Sequence, residues 1–92
     1  MFEYHRENNR RPIGVLTAVI ISNDVRFGWS LCSKLDKFDK DFGLQLAEAR
    51  AIKYKPNEIM YRAKLPNSME KHLVEFSKRA QKYFKDKEVF EF

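Results

Sequence analysis

The stretch from Ile13 to Ser22 constrains this chain more than any other. It is a run of β-branched and apolar residues with no helix- or strand-breaking residue after Gly14, which is the composition of a strand. Side chains alternate across a strand, so Val15, Val19 and Ile21 share one face and Leu16, Ala18 and Ile20 the other. Both faces are apolar. A strand of this kind has to be covered on two sides, by helices or by a second subunit. In a chain of 92 residues, one domain's worth, few elements are available to do that.

The rest of the chain supplies them. Asn23 and Asp24 signal a two-residue turn, and Val25 to Cys32 reads as the return strand. Val25, Phe27, Trp29 and Leu31 form its core face. Arg26, Gly28, Ser30 and Cys32 form the other, with a cation, a bare backbone and two small polar groups. Ser33 and Asp36 have capping-box spacing, opening a helix from about Lys37 to Lys53. Phe38, Phe42, Leu46 and Ala49 are its expected buried stripe. Gly43, Ala47, Arg50 and Tyr54 lie along a second ridge, where small residues permit close approach of a backbone or a ligand. After Pro56 and Asn57, the alternation over Glu58 to Leu65 reads as a third strand, a continued helix being the alternative. Asn67 and Glu70 suit a capping box for a last helix. Its apolar face is Met69, Leu73, Phe76, Ala80 and Tyr83 or Phe84. Residues 1–12 form an arm, loosely ordered or adding an edge strand through Phe2 and Tyr4. The aromatic tail Val89 to Phe92 is expected to dock on the chain's own core or on a partner. The expected fold is α+β: a small antiparallel sheet in ββαβα order packed against two helices, in a single domain.

Charge and chemistry narrow the function. The net charge is +5 and the pI about 9.4, which favours anionic partners. Residues 47–92 hold 11 basic and 7 acidic side chains, against 7 and 6 in residues 1–46, so an anion site draws on the second half. Cys32 is the single cysteine. It excludes an intramolecular disulfide and fits a reducing, cytoplasmic setting. It reads as a structural thiol. The longest apolar run is too short to span a membrane. A Gly-rich phosphate loop, a paired-histidine metal motif and a nucleophile elbow are all missing. His5 and His72 read as inert, and Asp36, Asp39 and Asp41 as helix-capping groups rather than metal ligands. The expectation is a binding protein, not an enzyme, with no cofactor.

Two clusters are candidates for the ligand. Arg26, Ser30, Arg50 and Arg62 are placed to contact phosphate, because arginine recognises it bidentately. Trp29 or Tyr54 would stack on a base. An ion pair of Arg50 with Glu48 of a neighbouring copy or with Asp36 is the plain structural alternative. Lys71, Lys78, Lys82 and Lys85 fall on the outer face of the last helix, where they could follow a nucleic-acid backbone.

One resemblance bears on these readings. Phe27, Gly28, Ser30 and Cys32, then Asp36, Phe38 and Lys40, then Gly43, Ala47, Arg50 and Ala51 recur in a spacing that resembles small proteins of tailed bacteriophages. Some of those are similar to the counter-defence sponges of the Thoeris anti-defence family. The resemblance implies phage origin and non-enzymatic capture of a phosphate-bearing nucleotide by a homodimer or larger assembly. It matches no residue of that family's ligand site to this chain. Docking on a host protein through Phe90 and Phe92 is a further expectation.

Overall fold

The computed structural model describes residues 1–6, 11–32, 37–55 and 65–90. The elements run β1 (Phe2–Arg6), β2 (Pro12–Ile21), β3 (Asp24–Leu31), α1 (Lys40–Lys53), α2 (Asn67–Tyr83) and β4 (Glu88–Val89). The four strands form one sheet in the order β1-β2-β3-β4. The class is α+β, as expected, but among the described residues the element order is βββααβ rather than ββαβα. The sheet is mixed, because β4 pairs parallel to β3 at Asp24 and Val25. The expected third strand falls, except for Leu65, outside the described residues.

β2 is covered on both sides, as its two apolar faces require. On one side Leu16 and Ala18 of β2 and Val25, Phe27 and Trp29 of β3 pack against Met69, Leu73, Phe76 and Ala80 of α2. Phe27 and Phe76 meet edge to face at 5.9 Å, a favoured aromatic geometry. On the other side lies α1, whose buried residues are Gly43, Ala47 and Ala51. The chain is thus a sheet between two helices.

The β2–β3 hairpin turns one residue earlier than expected. Ile21 pairs with Asp24, so Ser22 and Asn23 make the turn, and Ser22 takes φ 58°. The N-terminal arm does provide a strand. β1 pairs antiparallel with β2, from Phe2 opposite Thr17 to His5 opposite Gly14. Met1 extends it, its carbonyl accepting from the Ala18 amide at 2.8 Å and from Thr17 Oγ1 at 3.2 Å.

α1 departs from its expectation in a way that matters. Asp39 caps it, its carboxylate accepting from the Phe42 amide at 3.0 Å, so the helix starts at Lys40; residues 33–36 lie outside the described region. Of the predicted stripe Phe38, Phe42, Leu46 and Ala49, Phe38 and Leu46 are half-buried, whereas Ala49 is exposed and Phe42 is 64% exposed. The ridge of small residues faces inward instead. The reason is visible at Gly28: a Cβ there would collide with the Ala47 carbonyl and lie 2.8 Å from the Ala51 Cβ. The helix backbone sits almost directly on the strand, a separation no larger residue on either element permits. Ser30 Oγ donates to the Gly43 carbonyl at 2.8 Å from a buried position.

α2 matches its predicted apolar face, with Phe84 packed on the core and Tyr83 69% exposed. Its start differs: Pro66 occupies the N-cap without a side-chain hydrogen bond, and Asn67 is already helical, so the expected capping box does not form. Val89 and Phe90 pack against the core, while Phe92 lies outside the described residues. Among the described residues no helix is long and apolar enough to cross a membrane.

The α1–β3 seam generates a direct expectation. Gly28→Ala forces α1 off the strand and should cost about 3 kcal/mol, the upper end of the usual overpacking cost, read by chemical denaturation. A loss below about 0.5 kcal/mol would contradict the seam.

Candidate functional site

Three groups of chemistry-bearing residues are positioned by this fold. The first is the arginine and small-residue strip between β3 and α1. Gly28 and Ser30 are covered by α1 and lie in its packing seam. Arg50 Nη1 donates to the Trp29 carbonyl at 3.0 Å, and Arg26 Nη1 donates to the Ile52 carbonyl at 3.3 Å. β4 pairs with β3 only at Asp24 and Val25. Trp29 is paired with Leu16 of β2 but lies beyond the reach of β4 on the other edge, so Arg50 supplies a donor to a carbonyl of a strand that is an edge there among the described residues, a common way to protect a sheet edge. Arg26 reaches one of the last carbonyls of α1, where a cation is favoured. Among the described residues neither arginine has a carboxylate partner, and Asp36, one expected partner of Arg50, lies outside them. Trp29 is buried on the opposite face, in the α2 core. Tyr54 packs against that same core, with Lys53 Nζ 5.3 Å from its ring centre. Arg62 lies outside the described residues. The five described members of the cluster do not share one surface.

The second group is one the sequence reading passed over. His5, on edge strand β1, is buried, and its Nδ1 lies 2.9 Å from Nδ1 of His72 on α2. His72 Nε2 lies 3.0 Å from Glu3 Oε1. Arg79, two turns along α2, grips Glu3 bidentately, with Nε to Oε2 and Nη2 to Oε1 both at 2.7 Å. With His72 Nε2 donating to the carboxylate, its Nδ1 accepts from His5. The result is a polarised chain from His5 through His72 to Glu3, closed by a fork of charge-assisted bonds. It ties β1, which α2 otherwise touches lightly, to the rest of the fold. Burial pushes the Glu3 carboxyl up, but hydrogen bonds from Arg79 and His72 outweigh this and hold it below its ordinary 4.5. The Arg79 guanidinium is correspondingly raised, chiefly by its bond to Glu3. Spacing within one element could not reveal this cluster, because Glu3 and Arg79 are 76 residues apart.

The third group is the outer surface of α2. Lys71, Lys78 and Lys82 are exposed on the helix, and Lys85 on the turn that follows. None of the four has an ion pair or hydrogen bond among the described residues. Tyr83 stands exposed beside Lys82. Glu70 and Glu75 are the acids on the exposed part of the helix. Arg79 is neutralised by Glu3 at 2.7 Å.

A pocket of about 380 Å³ borders the first group at Ser30 and Gly43, between the end of β3 and the first turns of α1. Ser30, Cys32, Phe38, Phe42 and Leu46 line it, with Lys37 and Asp39 alongside. Cys32 is half-buried there rather than enclosed. Among the described residues no group of three or more His, Cys, Asp or Glu is disposed to hold a metal ion.

No family model, curated protein or solved structure matches this chain.

The Glu3 cluster predicts a specific acid response. Its carboxyl is held below 4.5 in the folded state, so the ionised form stabilises the fold fully above that value. The contribution fades as pH falls through the lowered folded-state value. Glu3→Gln should therefore be less stable than the wild type at pH 7, and the gap should narrow progressively as pH falls below 4.5. Urea denaturation across pH 3–7 reads this; a gap that stays constant with pH would contradict it.

Proposed function

We propose that this protein is a non-enzymatic binding protein for phosphate-bearing polyanions, single-stranded nucleic acid foremost, and that the outer face of α2 takes the ligand. The observation that carries this is the contrast between its two sets of cations. Arg26 and Arg50 are engaged with backbone carbonyls and Arg79 with Glu3. Lys71, Lys78, Lys82 and Lys85 are exposed and unpaired among the described residues.

Lys78 and Lys82 are one helical turn apart, about 6 Å along the axis, and Lys71 lies about 10 Å before Lys78. The stripe is long enough to follow several phosphates of an extended strand. Tyr83 at its edge offers an exposed ring for base stacking, the other half of sequence-tolerant single-strand binding. The excess of base over acid in residues 47–92 steers such a ligand to this half of the molecule.

Capture of a single nucleotide between Arg26 and Arg50, as in a counter-defence sponge, has weaker support. The strip between them is filled by α1, and the aromatic residues expected to stack on a base pack into the core.

Fluorescence anisotropy with a labelled single-stranded oligonucleotide tests the proposal. Four lysine–phosphate contacts predict a slope of log K against log salt of about −3. Lys78→Glu with Lys82→Glu should weaken binding at least about tenfold. Arg50→Ala should lower the melting temperature and leave affinity unchanged. A salt-independent affinity, or an intact one in the charge-reversed protein, rejects the α2 face as the site.

A further inference from the structure

We propose that the contact between His5 and His72 is an acid-sensitive latch, closed with no more than one added proton and open with two, which releases the His5 end of β1 from α2 while the rest of the fold stays in place. The two rings meet nitrogen to nitrogen, Nδ1 to Nδ1, at 2.9 Å, with their planes tilted by 37°. A bond between two imidazole nitrogens needs one N–H and one lone pair. The neutral pair has both. One added proton also keeps the bond, because whichever ring carries it donates to the other. A second added proton leaves an N–H on each facing nitrogen and no acceptor. Two like charges would then face each other at hydrogen-bond distance, one of them on the buried His5, where an uncompensated cation is costly.

The surroundings offer that second cation no partner. On β1 the Met1 amine and Glu3 share the His5 face by the two-residue alternation. On α2 Glu75 and Arg79 share the His72 flank by helical spacing. Two acids and two bases balance, and Glu3 is already held by Arg79 at 2.7 Å. β2, opposite β1, has no titratable side chain from Pro12 to Ile21. Lys40 lies on the far side of the sheet, over the Tyr4 ring.

The backbone shows where the latch gives way. β1 pairs with β2 regularly from Phe2 to His5, and the register shifts between His5 and Arg6. The strand is therefore weakest beside the buried histidine. At the other end Glu3 stays ionised and bound to Arg79 well into acid, because its carboxyl is held below 4.5. The Glu3–Arg79 clasp acts as the pivot and the His5 end as the part that swings.

The sign follows from counting protons. Free of each other, both imidazoles protonate near about pH 6.5, whereas the closed pair holds at most one added proton. The open state binds more protons, so it gains on the closed state as pH falls below that range. Opening precedes the loss of the Glu3 contribution. It is independent of the lysine face of α2, which points outward.

Nuclear magnetic resonance tests the latch on the intact chain, whose two histidines give separate ring signals. The rings should take up protons in two distinct steps between about pH 8 and about pH 4.5. Hydrogen exchange, corrected for its intrinsic pH dependence, should show protection of the amides around His5 and Gly14 falling at least about tenfold with the second step. Protection around Thr17 and Gly28, in the β2–β3 ladder, should hold. His5→Gln supplies a donor that does not titrate and should keep β1 protected across the range. His72→Gln serves the same purpose if the buried His5 position does not tolerate the change. Level protection of β1 in the wild type, a loss on the first step, a loss that spreads equally to the β2–β3 amides, or an undiminished loss in the glutamine variant would each overturn the proposal.

Discussion

The contact between the α1 backbone and β3 at Gly28 sets the positions of nearly everything else. With no side chain at Gly28, the Ala47 carbonyl and the Ala51 methyl rest directly on the strand. That depth brings Ser30 within hydrogen-bond reach of the Gly43 carbonyl and puts the Trp29 carbonyl within reach of Arg50. It also decides which face of α1 turns outward. A helix held this close fully buries only its small residues on the sheet, so Phe42 and Ile52 are left exposed and Leu44 and Leu46 half-buried.

The two helices meet the sheet by different physics. α2 packs through large side chains, with Phe76 and Leu73 filling the space above Phe27 and Leu16, and it stands off the sheet as most helices do. α1 packs by backbone proximity and buried hydrogen bonds, with little apolar volume. Edge strand β1 depends on neither to the same degree. It is held by its pairing with β2 and by the Glu3, His72 and Arg79 chain to α2. Among the described residues the ion pairs thus gather where α2 touches β1 only lightly.

Much of this was legible in the residues. The two apolar faces of β2 announced a sheet covered on both sides, and the heptad-like run of Met69, Leu73, Phe76 and Ala80 announced α2. The parallel pairing of β4 was not legible, because two residues carry no periodic signal. Nor was the orientation of α1. Hydrophobicity ranks Phe42 above Gly43, but packing against a glycine in the facing strand reverses that order. The candidate site divides along the same line. The exposure of the lysine stripe follows from helix periodicity alone, whereas the engagement of Arg26 and Arg50 depends on which carbonyls the tertiary fold brings to them. Side-chain type identified the cations, and only the fold separates those that brace it from those exposed without a partner among the described residues.

The central claim is that the small-residue strip of β3 and α1 is a closed seam and not a cleft. Nuclear Overhauser spectroscopy on the free protein tests it most directly. The account predicts strong cross-peaks from the Gly28 α-protons to the Ala51 methyl, together with slow exchange of the Ser30 hydroxyl proton with water. Missing cross-peaks, with Gly28 and Ser30 in contact with solvent, would contradict it.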